Sequence, residues 1–149
     1  MLMVLDFEKY ATKGNEFVRL VSMELEVPRD TAGRITRAVL HALRNRITNQ
    51  ESFQLMAQLP MAMKSIYVDG WKFSREHVRL RHVAELLDEV RLEDGKSSGY
   101  DFGNNVKALK AVRAVFSSLS AFVSPGELKD LLGTLPHEIR DVLSEVIHD

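Results

Sequence analysis

The sequence predicts an all-α protein, an internally duplicated helical bundle of about eight helices in two pseudo-symmetric units. Apolar residues recur at the three- and four-residue spacing of a helix face through most of the 149 residues, and no stretch alternates as a strand does. Residues 31–67 also align without a gap to residues 107–143, at an offset of 76. Average composition would give about two or three identities in such a window. The identical pairs are Ala32/Ala108, Arg37/Arg113, Ala38/Ala114, Val39/Val115, Leu43/Leu119, Glu51/Glu127, Leu55/Leu131, Leu59/Leu135 and Pro60/Pro136.

The first helix is predicted to run from about Asp6 to Glu26, with Asp6 as its N-cap. Pro28 then stops it, because proline disfavours helical backbone in the residue before it.

Three helices follow in unit one. The first opens at Asp30 or Thr31, and the second opens at a capping box formed by Thr48 and Glu51. The third opens at Pro60, where the missing N–H of proline costs nothing.

Unit two repeats these steps. A long helix leads to a second capping box, formed by Ser124 and Glu127, and Pro136 opens the last helix. We expect one domain over 1–149, with unit one at about 6–67, an aromatic linker at 68–73 and unit two at about 74–149. Within unit two, residues 74–92 are predicted to be helical, and the polar, Gly-rich stretch 93–103 is predicted to be a mobile loop.

Composition excludes several function classes. The net charge is −1, so no global field favours nucleic acid, although residues 28–73 carry +4. There is no cysteine, and no run approaches the ~18 apolar residues of a membrane span. The first residues lack the basic region of a secretion signal, so we expect a cytoplasmic protein without membrane contact.

Several runs resemble an uncharacterised bacterial family, domain of unknown function 2267. They are residues 38–46, 57–60 and 67–72 in the first half, and residues 111–116 with Leu135-Pro136 in the second. The resemblance covers nearly the whole chain, from Phe7 to about Leu143. It implies a helical bacterial protein, and it offers no catalytic residues to carry over.

No residue pattern predicts a catalytic, cofactor or metal site. His82, Glu85 and Glu89 share a helix face, but a solvated face with ordinary side-chain pairs explains them more simply. Glu145 and His148 have the Glu-x-x-His spacing of di-iron bundles, which need two such motifs and two further glutamates.

Two charged positions recur in both units, as the pairs Arg37/Arg113 and Glu51/Glu127. They could form two equivalent anion sites, or they could serve the helix ends of each unit. We favour the structural interpretation, because each unit needs its own capping box and helix end.

The linker aromatics are the predicted interaction residues: Tyr67, Trp71 and Phe73. Trp71 and Phe73 lie outside the repeated window, so the duplication does not require them. Trp and Tyr often anchor interfaces, and two-fold pairs are the commonest oligomers. The alternative is that Trp71 fills the junction between the units.

These patterns favour a protein that is not an enzyme and acts through protein–protein contacts. We expect a homodimer or a small adaptor, regulatory or stress-related, whose partner is itself or another protein. The alternative is a bundle that binds a small apolar ligand near Trp71 and the methionines. DNA binding through Arg34, Arg37, Arg44 and Arg46 is disfavoured, because the helix after them (residues 51–58) has no basic residue.

Overall fold

A computed structural model describes residues 5–73 and 78–145. Within them the chain forms nine α-helical segments and one 3-10 turn, Gly95–Ser97. In chain order the helices are α1 (Glu8–Leu25), α2 (Arg29–Arg46), α3 (Asn49–Gln58), α4 (Met61–Val68), α5 (Val83–Asp94), α6 (Ser98–Asp101), α7 (Asn105–Leu119), α8 (Pro125–Gly133) and α9 (His137–Ser144).

The all-α class is confirmed. Eight of the helices have eight residues or more, as the apolar periodicity predicts, and α6 is a single turn. No residue of the described ranges lies in a strand. None of the described helices is long and apolar enough to cross a membrane.

The first helix begins slightly later than predicted. Phe7 occupies the N-cap position, and the Asp6 carboxylate still accepts a hydrogen bond from the Glu8 N–H at 3.0 Å. At the other end Glu26 adopts a left-handed backbone with φ of 55°. Its N–H bonds back to the last turn, and α1 therefore ends at Leu25, three residues before Pro28.

Both predicted capping boxes are confirmed. The Thr48 hydroxyl accepts from the Glu51 N–H at 3.1 Å, and the Glu51 carboxylate accepts from the Thr48 N–H at 2.9 Å. Ser124 and Glu127 make the same two bonds, each at 3.1 Å. α3 and α8 therefore begin with satisfied backbone donors.

The helix predicted over 74–92 is wrong in its first part. Residues 74–77 lie outside the described residues, residues 78–80 are not helical, and α5 begins only at Val83. The Leu80 N–H donates to the Arg46 carbonyl at 2.8 Å, and its side chain is buried. This segment therefore closes the C-terminal end of α2, and that tertiary bond outweighs local helix propensity.

The loop predicted over 93–103 is also wrong. It contains the 3-10 turn and α6, and its apolar residue Phe102 is fully buried. The Asp101 side chain is buried as well, where Arg34 pairs with it. Burial of these two side chains fixes a segment whose composition is typical of loops.

The first two helices of each half pack on those of the other half. α2 lies along α5, α1 lies along α7, and α3 meets α8. Buried apolar side chains from both halves form one connected cluster, which includes Leu59 and Leu135. α1 also approaches α4 closely, where a Cβ on Gly14 would lie 2.9 Å from the Ala62 Cβ.

Candidate functional site

The three predicted interaction residues lie at different depths. Tyr67 is fully buried, Trp71 is half-buried and Phe73 is 51% exposed. The Tyr67 and Trp71 rings meet edge to face with centroids 5.8 Å apart, and Trp71 meets Phe73 in the same way at 5.4 Å. The three rings therefore form a stack that runs from the core to the surface.

A fourth ring, Phe53 of α3, completes the outer part of this stack. It is 50% exposed, and its centroid lies 5.6 Å from that of Phe73 and 5.9 Å from that of Trp71. We call Phe53, Trp71 and Phe73 the aromatic surface. Sequence reasoning did not include Phe53 among the interaction residues. A signal was present, because the residue 76 positions later, Lys129, is polar, so the repeat does not require an aromatic side chain at this position.

Tyr67 is held inside by its hydroxyl, which is 2.6 Å from the Ser52 hydroxyl. Burial raises the pKa of Tyr67 to about 12, so the phenol stays neutral. Tyr67 thus packs against the inner side of Trp71, and in this conformation a partner protein cannot contact its side chain.

Two side chains of α2 bind the carbonyls at the C-terminal end of α4. Arg44 donates from Nη1 to the carbonyls of Tyr67 and Asp69, at 2.8 and 2.7 Å. His41 donates from Nε2 to the Ile66 carbonyl at 2.7 Å. A cation at a helix C-terminus also meets its negative end favourably. These contacts fix the start of the linker that carries Trp71.

Burial sets the ionisation of both α2 side chains. It lowers the pKa of His41, with neighbouring Arg44 adding to the shift, so the imidazole is neutral near pH 7. Burial lowers the pKa of Arg44 also, and Glu93 opposes that shift. An arginine keeps its proton at any physiological pH, so Arg44 is a buried positive charge.

A cleft of about 390 Å³ opens beside Arg44, between α2, α5 and the linker. We call it the α2–α5 cleft. Its lining includes Arg44, Trp71, Lys72, Glu89, Leu92 and Glu93. Two cations and two carboxylates therefore face the same space, with an indole and a leucine between them.

The carboxylates of the cleft have partners within the fold. Glu89 accepts from Arg46 at 3.2 Å, and Asn45 donates to Glu93 at 3.0 Å. Arg46 also binds Glu85 at 2.9 Å. These bonds hold the α5 wall in place against α2.

Two polar atoms of the opposite wall lack such partners. Arg44 Nε and Trp71 Nε1 are buried and make no hydrogen bond with the described residues. Both are N–H donors, so a hydrogen-bond acceptor placed next to either of them would satisfy a buried polar group.

A second depression, of about 450 Å³, lies between α1 and α7, and we call it the α1–α7 groove. Leu20, Met23 and Glu24 form one wall, and small residues such as Ser120 and Ala121 form the other. It has no cationic side chain in its lining.

The repeated charged residues make equivalent contacts in both halves. Glu51 and Glu127 close their capping boxes, and Glu51 also pairs with Arg79 at 2.8 Å. Arg37 lies 3.8 Å from the Asp69 carboxylate, and Arg113 lies 3.0 Å from that of Glu145. Asp69 and Glu145 are themselves 76 residues apart, so each arginine meets the acid that follows α4 or α9.

The weak metal candidates do not come together. Glu85 accepts from the N–H groups of Arg81 and His82, which is a helix-capping role. Within the described residues no three His, Asp or Glu side chains could hold a metal ion. His148, which the Glu-x-x-His spacing needs, lies outside those residues.

A carboxylate pair lies at the other end of α5. Asp101 takes two bonds from Arg34, at 2.9 and 3.0 Å. Burial raises the pKa of Asp94 to about 7, and a hydrogen bond to Asp101 and its charge add to the shift. Although burial opposes it, the bond from Arg34 lowers the pKa of Asp101. Asp94 is thus the member that keeps a proton near neutrality.

Comparison with known families identifies the family of this chain. The family described as uncharacterized conserved protein DUF2267 matches residues 14–142. The chain belongs to this family. Its description assigns no activity, and no curated protein matches the chain.

Proposed function

We propose that this DUF2267 protein is not an enzyme and acts through protein–protein contacts, as a homodimer that forms through the aromatic surface. The observation that carries the proposal is the exposure of Phe53 and Phe73 around the half-buried Trp71. Large aromatic side chains in one patch dominate interface energetics when a partner covers them. A regulatory or stress-related role for such a dimer remains part of the proposal.

A second copy is the partner that the charges allow. With a net charge of −1, two copies repel each other little. Glu51 and Arg79 pair beside the patch, so its rim carries both signs. A two-fold axis brings such a rim onto itself with opposite charges able to meet.

Several arginines of the basic stretch of α2 have partners within the fold. Arg34 pairs with Asp101, Arg46 pairs with Glu85 and Glu89, and Arg44 binds the end of α4. Phosphate binding draws on exposed cations that have few partners of their own. This use of the arginines supports a protein partner over DNA.

The proposal of a small apolar ligand finds less support. The cleft beside Trp71 is lined largely by charged side chains, whereas apolar ligands need apolar walls. Of the three methionines predicted nearby, Met63 is buried in the core and Met56 packs against it.

We also propose that the bundle arose by duplication of a four-helix unit. Several observations support this. α2 and α7 begin 76 residues apart, as do α3 and α8, and α4 and α9. α1 spans residues 8–25, and the segment from α5 through α6 spans residues 83–101. These two segments are therefore separated by almost the same offset as the other helix pairs. The repeated leucines of both halves are buried.

Light scattering at several concentrations tests the dimer. We expect wild type to dimerise and the double variant Phe53→Ala, Phe73→Ala to be a folded monomer, since it loses two exposed rings of the patch. Tyr100→Ala is the matched control, because Tyr100 is 65% exposed outside the patch. Circular dichroism checks that each variant is folded.

A wild-type protein that stays monomeric near 1 mM would exclude the homodimer, since a dimer with a dissociation constant above 1 mM is hardly populated at cellular concentrations. A double variant that still dimerises like wild type would place the interface elsewhere.

A further inference from the structure

Arg44 is an unusual residue to find at the wall of a cleft. It is only 6% exposed, yet both of its hydrogen bonds go to neutral carbonyls and both use Nη1. Its Nε has no partner among the described residues, and the same is true of Trp71 Nε1. A buried guanidinium is stabilised most by a carboxylate that takes two of its N–H groups.

The other side chains of the cleft indicate which kind of molecule could carry this carboxylate. Lys72 adds a second positive charge, and Glu89 and Glu93 stand on the α5 wall. A simple anion would gain from the cations and lose to the glutamates. A molecule that carries both charges gains on both walls.

We propose that the α2–α5 cleft binds a small zwitterion with an apolar body, such as an apolar amino acid or a dipeptide. Its carboxylate lies toward Arg44 and Lys72, and its ammonium lies toward Glu89 and Glu93. The Trp71 ring and Leu92, which is 75% exposed, cover its apolar part. The volume of about 390 Å³ is within the range of small-molecule sites.

The α1–α7 groove shows that two helices can pack in this way without such polar groups between them. Arg44 and Asn45 line the cleft, and the residues 76 positions later, Ser120 and Ala121, line the groove. Two α-helices pack together at both places, so the helix pair alone does not require a buried cation. Besides binding the end of α4, Arg44 therefore gives the cleft a positive charge that the corresponding groove of the other half lacks.

Trp71 supplies the measurement, because it is the only tryptophan of the chain. Its ring lines the cleft, so a ligand that binds there changes the surroundings of the indole and with them its fluorescence. The probes are L-leucine, 4-methylpentanoate and 3-methylbutylamine, which share a branched apolar body. L-leucine carries both charges, 4-methylpentanoate only the negative charge and 3-methylbutylamine only the positive charge. L-leucyl-L-leucine tests a longer spacing between the charges, and calorimetry gives an independent readout.

We expect L-leucine or the dipeptide to bind more tightly than either singly charged probe. Lys72→Met should weaken binding of the zwitterion and of 4-methylpentanoate about three- to fivefold, because it removes one charge at the edge of a solvated cleft. Lys96→Met is the matched control and should change nothing, since exposed Lys96 lies outside the cleft. Glu93→Gln should weaken the zwitterion and 3-methylbutylamine and tighten 4-methylpentanoate, because it removes a charge that repels the carboxylate.

Arg44→Gln removes the buried charge and keeps an N–H donor for the α4 carbonyls. If it folds, it should abolish zwitterion binding. If it does not fold, the Lys72 and Glu93 variants still decide the question.

Three results would overturn the inference. One is no response to either zwitterion at about 10 mM, well above the weakest affinities of interest. Another is binding that Lys72→Met and Glu93→Gln leave unchanged, which places the ligand elsewhere. The third is equal affinity for L-leucine and 4-methylpentanoate, which removes the role of the acidic wall. Trp71 also belongs to the aromatic surface, so calorimetry, which follows ligand binding directly, is the readout that separates failure of this inference from failure of the proposed dimer.

Discussion

The α2–α5 cleft and the α1–α7 groove occupy corresponding places in the two halves and differ in chemistry. Beneath both, the residues 76 apart are identical or similar and are buried, as with Leu43 and Leu119. In the lining of the two depressions, buried Arg44 shares the cleft with two glutamates, whereas exposed Ser120 lies in a groove without a cation. Packing constrains the apolar positions beneath a helix pair, and the residues that line the depression above them can diverge.

The first and largest test asks whether the two cores are equivalent. Leu59→Ala and Leu135→Ala should each lower the free energy of unfolding by about 2–5 kcal/mol, because each leaves a cavity under a fully packed helix junction. Urea unfolding followed by circular dichroism measures both. A loss within about 0.5 kcal/mol at either leucine is typical of a surface site and would break the comparison.

A second test concerns the close contact of α1 with α4. Gly14→Ala should destabilise the protein by about 1–3 kcal/mol, since its Cβ would lie 2.9 Å from the Ala62 Cβ and push the helices apart. Gly33→Ala in α2 is the matched control, because a Cβ there meets nothing within 4 Å. It should stabilise the helix by up to about 1 kcal/mol. Equal effects of the two variants in thermal unfolding would show that α1 and α4 are not in contact.

The third and smallest effect belongs to the carboxylate pair, which the other half lacks. Asp94 has a folded-state pKa of about 7, above its unfolded value, so the folded protein holds an extra proton between about pH 4 and 7. This contribution to stability is full below pH 4 and is lost as the pH rises through 7.

Asp94→Asn cannot lose a proton, so it should gain stability relative to wild type, on the order of 1 kcal/mol, between pH 5 and pH 8. Urea unfolding at both pH values gives the difference. A difference between variant and wild type that does not change with pH would mean that Asp94 is ionised throughout.

Much of the fold follows from local rules that the sequence displays. The capping boxes at Thr48 and Ser124 place the starts of α3 and α8, and Pro60 and Pro136 directly precede α4 and α9. These signals act within a few residues, so they can be found without any tertiary information.

The errors have a common cause in contacts between distant parts of the chain. The bond from Leu80 to Arg46 keeps residues 78–80 out of a helix, and the burial of Phe102 orders a segment that reads as a loop. The same distinction applies to the candidate site. Trp71 and Phe73 could be identified from composition, whereas the role of Arg44 depends on its depth and on carbonyls 23 and 25 residues away. No spacing rule reports such depth.

The crossed packing of the helices makes each half a fragment without a complete fold. α1 packs on α7 and α2 packs on α5, so the first half covers apolar surface that belongs to the second. A chain cut between α4 and α5 would give two pieces, each with a bare apolar face shaped for the other. Such pieces should recover structure only when mixed, which makes this bundle a natural scaffold for split-protein complementation.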